Sequence, residues 1–506
     1  MKPMKSLFLG AAAGLVVMSG AQAADLPLKA KAVEYVKVCS LYGAGFYYIP
    51  GTDTCIKLGG YVRADMGVNA NLMFAGNTAG VAGAQNRLGN DFTWRSRADL
   101  NVDTRTATEY GVVRTYFETV FSWTSGGYVS NGAGSTVYDA ASPGATGSGA
   151  VSGGQLGVYY AFIQFAGFTM GKAVSQFSTP WGNYLGNNIF DGLVGGGGAL
   201  TGVNQFTYTA EFGNGVSGSI AVQDPIQYYQ AGILNLGVAP TATFGTANLG
   251  YGSNDYGGTT VPDVVARLRV DQAWGMFQAS VAAHNNNPAY YGATQDTGGP
   301  ADKWGWAGQL ALSIRNIPTG SGDTIDIQGV YTNGATRYNI QDLAGAAGVN
   351  TIYTGVTGIG YGFAPDAVFG PDGQLQLVST WGMRGAFNHN WNPYWATSVF
   401  GAYASVRYTG AAKSLMCGVG GTVPAILGAG VITCNPDYNI GQVGANLRWT
   451  PVKNLTFTTE ALYTMLDQKY AGVATLPANN FGKPAGNYTL KDQDTWTVMV
   501  RAQRTW

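Results

Sequence analysis

Side chains able to do chemistry are sparse in this chain, and their spacing argues against catalysis. Only two histidines occur, His284 and His389. His284 precedes Asn285-Asn286-Asn287-Pro288, and His389 lies within Asn388-His389-Asn390-Trp391. Both read as polar turn residues, not as bases held beside a nucleophile. HExxH, GxSxG and P-loop patterns are missing, and the Gly195 to Gly198 run lacks the following Lys and helix that would hold a phosphate. The sequence is therefore read as no enzyme, with no catalytic residue, no metal and no cofactor.

Four cysteines fall in two close pairs, Cys39 with Cys55 and Cys417 with Cys434. Residues 1–23 have the parts of an export signal: Lys2 and Lys5, an apolar run from Leu7 to Met18, and the A-x-A site Ala21-Gln22-Ala23. An uncleaved anchor is the other reading of this segment, but its apolar run is short. In an exported, oxidising context the pairs predict two disulfides, each closing a loop of about 17 residues. Neither pair has the C-x-x-C spacing of a zinc site.

The charged residues are what remains, and their arrangement is periodic. Along Phe92 to Arg105, Phe92, Trp94, Ala98, Leu100 and Val102 share one face, while Arg95, Arg97, Asp99, Asp103 and Arg105 share the other. A helix would mix these sets around its circumference, whereas a strand separates them. Sixteen stretches between Ile56 and Arg501 show such alternation, strongly or weakly, and short and long connections alternate between them. Leu156 to Gly171 is the nearest approach to an apolar helix, but its Ala166-Gly167 interruption fits a tight hairpin better.

Composition agrees with strands that meet both lipid and water. The 506 residues carry 28 Lys plus Arg against 28 Asp plus Glu, which excludes a partner recruited by bulk charge, such as nucleic acid. Charged residues make up only 11% of the chain, yet no uncharged apolar run is long enough for a spanning helix; 76 glycines and 12% aromatics fill the difference. In hydrocarbon, strands cross only as a closed sheet, because no backbone amide is left unpaired there. The expected fold is therefore all-β, a transmembrane antiparallel β-barrel of about sixteen strands with short turns on one side and long loops on the other.

Closure creates an interior, and the faces that point into it carry too many charges to be buried dry. A water-filled channel is expected, lined by Arg63, Arg95, Arg97, Arg114 and Glu118. Trp94, Trp304, Trp306, Trp449 and Trp496 are candidates for the aromatic girdles at the two headgroup levels. The loop at 174–204 is long and Gly/Asn-rich, and Asp191 is its only charge. Folded inward, it would narrow the channel and set Asp191 against the arginines, giving a transverse field that sorts solutes by size and charge. An exposed surface loop is the alternative. Tyr61, Tyr116, Tyr160 and Phe162 are possible members of an aromatic stripe, which would mark a substrate-specific sugar channel instead of a general pore.

Several motifs resemble one family. ADLPLKAKAVEYVKVCSLYGAGFYYIPGTDTCIKLGGYVRAD (Ala24 to Asp65), DFTWRSRADLNVDTRT (Asp91 to Thr106), the WTPVKNLTF turn (Trp449 to Phe457) and the terminal Trp506 are similar to the alphaproteobacterial porins of rhizobia and their relatives. The resemblance covers essentially all of 24–506, as a single barrel domain whose segment 24–55 leads into the first strand. It implies a sixteen-stranded general porin in the cell outer membrane, exported by the secretory route, with periplasmic turns, extracellular loops and the third loop in the lumen. It also implies a homotrimer in contact with outer-membrane lipid and lipopolysaccharide, passing small hydrophilic solutes and ions. Trp506 maps to the signal read by the barrel-assembly machinery.

Overall fold

The computed structural model describes residues 37–69, 92–124, 150–151, 154–190, 193–197, 201–226, 228–236, 256–289, 300–340, 349–350, 358–360, 362–370, 372–419, 421–476 and 484–506. The export segment 1–23 and Asp191 lie outside the described residues.

Sixteen strands form the wall. In chain order they are β1 (Thr54–Val68), β2 (Phe92–Thr108), β3 (Gly111–Thr124), β4 (Gly154–Phe165), β5 (Phe168–Ala173), β6 (Val203–Gly213), β7 (Val216–Gln223) and β8 (Asp263–Gln272). The second half comprises β9 (Gly275–Asn286), β10 (Lys303–Arg315), β11 (Thr324–Asn333), β12 (Ser379–Asn392), β13 (Trp395–Arg407), β14 (Tyr438–Val452), β15 (Leu455–Gln468) and β16 (Gln493–Thr505). Each pairs antiparallel with its sequence neighbours, and β16 returns to β1 with Tyr61 opposite Thr505 and Val68 opposite Val498. Every ladder hydrogen bond is thus made inside one closed sheet, as hydrocarbon demands.

The short connections have a local cause. Ala166 and Gly167 both take positive φ (48° and 85°), as do Asn214 and Gly215 (49° and 72°), the conformation of a two-residue hairpin whose twist matches its strands. Leu156 to Gly171 is accordingly a hairpin, β4 followed by β5, with Phe165 paired to Phe168.

Outward positions are apolar and exposed, as lipid-facing side chains must be in an isolated chain: Val62, Leu100, Phe117, Ile220, Leu268, Leu310, Val399 and Val500 among them. Aromatics gather at the two rims. Trp94, Trp304, Trp306, Trp381 and Trp496 point outward near the loop end, whereas Trp274, Trp391, Trp395 and Trp449 do so near the turn end. Cross-strand stacking fixes several, such as Trp395 on Trp449 at 5.8 Å and Tyr463 on Trp496 at 4.9 Å.

At the turn end, the Cys39–Cys55 disulfide ties the segment before β1 to the inner wall, where Phe46 is buried with both cysteines. At the loop end, long connections pack over the mouth. Ile233–Asn235 pairs parallel with Ala367–Phe369, and the connection between β13 and β14 is cross-linked by Cys417–Cys434.

A buried cluster binds these loops to the wall and corrects the reading of His284. That residue is 1% exposed near the end of β9 and not in a turn. Its Nδ1 is 2.7 Å from Asp263 Oδ1, and Tyr256 Oη lies 3.0 Å from its Nε2 and 3.0 Å from Asp366 Oδ2. Asp366 also accepts from the amides of Ala231 (2.7 Å) and Thr336 (2.6 Å). Desolvation raises the Asp366 pKa, but His284 and these amides outweigh it and hold the carboxyl below its ordinary range. Burial first, and Asp366 second, push the Tyr256 phenol up. His389 is likewise in a strand, β12, with Nδ1 2.6 Å from Asp323 Oδ2 in the turn before β11.

Candidate permeation pathway

The described residues of the third long loop, 174–190, 193–197 and 201–202, enter the lumen and lie along one half of the wall. Its route is set by inward-facing side chains that bond its backbone. Gln278 on β9 and Gln309 on β10 donate to Phe177 O, at 3.3 and 2.8 Å. Arg384 on β12 donates to Gly182 O at 2.8 Å, and Gln442 on β14 accepts from Val194 N at 2.9 Å. Glu460 on β15, fully buried, accepts from Ile189 N at 3.0 Å and Phe190 N at 3.2 Å. A loop running inside a barrel must satisfy its peptide groups somewhere, and each neutral bond of this kind contributes on the order of 1 kcal/mol, more for a charged acceptor.

Apolar packing completes the attachment. Leu185, Ile189, Phe190, Leu193 and Val194 bury against inward-facing Phe400, Ala402, Leu462 and Met499. Around these side chains loop and wall are in apolar contact, which departs from the expectation of a wholly water-filled centre. The inward face of β13 (Phe400, Ala402, Ala404, Val406) is apolar, and so its two faces cannot be told apart by polarity. Glycine permits the close approach: a Cβ on Gly195 would lie 2.4 Å from Met383 O, and one on Gly196 1.8 Å from Gln328 Nε2. Gly195, Gly196 and Gly197 therefore let the loop lie flat on the wall.

The opposite wall, β1 to β4, carries the charges in tiers. At the turn end Arg114 donates from Nε to Asp103 Oδ1 at 3.1 Å and from Nη1 to Gln164 Oε1 at 2.9 Å, with Arg105 on the same carboxylate at 3.0 Å. Above it, Glu118 accepts the Tyr116 hydroxyl at 2.5 Å, and Tyr116 stacks on Phe162 with centroids 5.4 Å apart. Arg63 and Arg97 come next as direct cross-strand partners; Arg63 bonds Gln503 Oε1 at 2.8 Å and Arg97 bonds Ser122 Oγ at 2.8 Å. Nearest the loop end, Arg95 is buried and donates to Asp65 at 2.7 Å.

Sequence reasoning groups these residues on one face, and the structure spreads them over tiers. Arg63 and Arg97 are direct partners, Glu118 stands a tier nearer the turn end opposite Asn101, Arg95 is sequestered by Asp65, and Arg114 sits furthest down. Asp191 lies outside the described residues; its neighbour Ile189 accepts from Arg501 Nη2 at 3.2 Å, and Arg501 shares Asp65 with Arg95. Half-exposed Tyr184 carries the loop across to this wall, within electrostatic reach of Tyr61 and Tyr160. Beneath the loop is a cavity of about 410 Å³ bordered by Trp181, Tyr184, Asn187, Asp326, Asn388 and Arg448. Of the loop anchors, the period of two places Glu460 inside with the other charges, whereas the neutral Gln278, Gln309 and Gln442 are not singled out by sequence reasoning.

The geometry is that of a closed β-barrel with an inserted loop and a charged wall facing it. Among solved structures, the outer membrane channel DcaP of Acinetobacter baumannii is similar in fold, with a TM-score of 0.52 at 15% identity, covering 91% of this chain and 99% of that one. Porin Omp2b of Brucella suis is 36% identical over 281 residues, and Omp2b of Brucella canis is 37% identical over the same length. Each alignment takes in 55% of this chain, and the chain spans 65% of the length of these relatives. Residues 25–499 match the model of the porin subfamily, and the chain belongs to that family.

Proposed function

We propose that the chain forms an aqueous channel through which ions and small hydrophilic solutes diffuse passively across the outer membrane. Family membership supports a channel in place of an enzyme, and the single observation that carries the reading is the two-sided lumen. One half is occupied by a loop held through Glu460, Gln442 and Arg384, and the other keeps Arg97, Arg105, Arg114 and Tyr116 only partly covered. Side chains of that charge cannot face an empty apolar space, so water fills the gap between loop and wall. In this reading Arg63, Arg95, Arg97, Arg114, Glu118 and Asp191 shape the field across the path, and the loop sets its width.

Three copies side by side in a lipopolysaccharide-bearing membrane, export by the secretory route through residues 1–23, and recognition of Trp506 by the assembly machinery complete the proposal. They rest on the resemblance of the motifs to porins. Refolded protein in planar bilayers should give ohmic, long-lived current steps, and no conductance from protease-resistant barrels would overturn the reading. Crosslinking should stop at the trimer.

The aromatic stripe favours a second reading, a solute-selective channel. Tyr61, Tyr116, Tyr160 and Phe162 lie together on the inner wall, with Tyr116 and Tyr160 centroids 6.3 Å apart. Saturating solute uptake would favour it, whereas linear uptake favours the general pore.

A further inference from the structure

The tier between Glu118 and Arg97 holds groups that satisfy each other incompletely. Asp99 is 2% exposed, and its Oδ1 accepts from Asn101 Nδ2 at 3.2 Å. Its Oδ2 is buried beside the Glu118 carboxyl, and no nitrogen donor reaches it among the described residues. Glu118 lies against it from β3, so two carboxylates border one point of the lumen. A buried acceptor without a donor costs about 1–3 kcal/mol, more when charged, and signals a missing partner. What is missing is a cation or a hydrogen-bond donor.

One residue pair toward the loop end stand Arg63 and Arg97, which act electrostatically on the same Asp99. Successive inward residues on a strand are about 7 Å apart. A cation-seeking point and an anion-seeking point at that separation suit a ligand bearing both charges a few ångströms apart. Toward the turn end from Glu118, Tyr116 and Phe162 present stacked rings, and Arg63 lies over the Tyr61 ring at 4.4 Å. Aromatic surface therefore flanks the charge pair on the turn-end side, and Tyr61 stands opposite Asp99 beneath Arg63.

From this juxtaposition we infer that the wall at Arg63, Arg97, Asp99 and Glu118 binds zwitterionic α-amino acids in transit, preferring those with an aromatic side chain. The ammonium donates to Asp99 Oδ2 and Glu118, the carboxylate accepts from the two guanidinium groups, and the ring packs on Tyr116 and Phe162. An inorganic cation or a water would answer only the acidic half, and a simple organic anion only the basic half. The inference rests on the channel reading, and it narrows that reading to a solute class.

The test is residence of L-phenylalanine in single channels, compared with 3-phenylpropionate, which lacks the ammonium, 2-phenylethylamine, which lacks the carboxylate, and L-alanine, which lacks the ring. Losing one charged hydrogen bond or the stacked ring should shorten residence about tenfold or more. Asp99→Asn or Glu118→Gln should erase the advantage over 3-phenylpropionate, and Arg97→Gln the advantage over 2-phenylethylamine. Each readout is a ratio within one channel type, so a changed conductance does not enter it. Equal residence for all four solutes, or ratios that survive the substitutions, would overturn the inference and leave Asp99 with a bound water or a proton shared with Glu118. If no current is seen at all, the channel reading fails, and titration of the detergent-solubilised protein with the same four compounds decides the site by the same ranking. Should Asp99→Asn not assemble, Glu118→Gln carries the acidic arm alone.

Discussion

Asp65 on the first strand and Arg501 on the last are direct cross-strand partners, and Arg501 Nε donates to Asp65 Oδ1 at 2.7 Å across the seam where the barrel closes. The same carboxylate takes Arg95 on its other oxygen at 2.7 Å. Its side chain is fully buried, as is nearly all of both arginines. The seam thus holds a buried triad with excess positive charge, and breaking a buried pair costs about 3–5 kcal/mol because the surviving charge stays desolvated. Asp65→Ala should lower the unfolding temperature measured by the heat-dependent gel shift of the barrel. An unchanged transition would mean that the ladder alone secures closure.

The loop anchors make a separate prediction about width. Glu460 receives two successive loop amides and is itself bonded by Asn446 Nδ2 at 3.0 Å. Glu460→Ala removes these bonds, about 2–4 kcal/mol of attachment. Single-channel conductance should rise and become noisier as the segment around Ile189 leaves the wall. Conductance equal to that of the unaltered channel would show that apolar burial at Phe190 and Leu193 suffices.

The strands were readable because lipid on one side and water on the other impose a period of two that turn chemistry punctuates; Asn214-Gly215 is one such mark. The path of the inserted loop was not readable. It depends on amides such as Gln278 and Gln442, which carry no charge to draw notice, and on the inward apolar face of β13, where alternation fails. The role of Asp65 is not legible either, since nothing local announces that Arg95 and Arg501 arrive from both neighbouring strands. His284 was misread because the polar Asn-Asn-Asn-Pro after it suggests a turn, whereas its partners come from Asp263, one strand away, and Asp366, in a distant loop.

Burial separates two arginines that the sequence treats alike. Arg97 is partly exposed to the lumen, whereas Arg95 is spent on Asp65. Arg97→Gln should move the reversal potential in a salt gradient toward cations. Arg95→Gln should move it less while lowering thermal stability more. A larger potential shift from Arg95 would put that side chain in the conducting path.

Reduction of the disulfides should loosen two places without opening the barrel. Cys39–Cys55 and Cys417–Cys434 join residues 16 and 17 positions apart, and a crosslink of that span restrains the unfolded chain by about 3 kcal/mol. Neither crosslink spans a ladder of the wall. After reduction, limited proteolysis should cut in the stretch 37–53 and in the connection 408–437 while the barrel core stays intact. Loss of the core would assign the disulfides a role in closure.

The cluster around Asp366 predicts that the loop cap is sensitive to acid. Asp366 faces His284 and Tyr256, receives the amides of Ala231 and Thr336, and lies near Asp263, which itself holds the Tyr338 hydroxyl at 2.5 Å. Its folded pKa lies below the ordinary value, so the stability it contributes is complete above about pH 5, where an unfolded carboxyl is almost wholly ionised, and fades as pH falls through the folded value. Protonation removes the acceptor that joins the loop after β7 to the loop after β11. Amide exchange at Ala231 and Thr336, corrected for the intrinsic pH dependence, should therefore accelerate below pH 4 while strand amides such as Val265 stay protected. Asp366→Asn should accelerate exchange at neutral pH and flatten the pH profile. Equal protection at pH 7 and pH 3, or an Asn variant that still responds to acid, would place the sensitivity in another group.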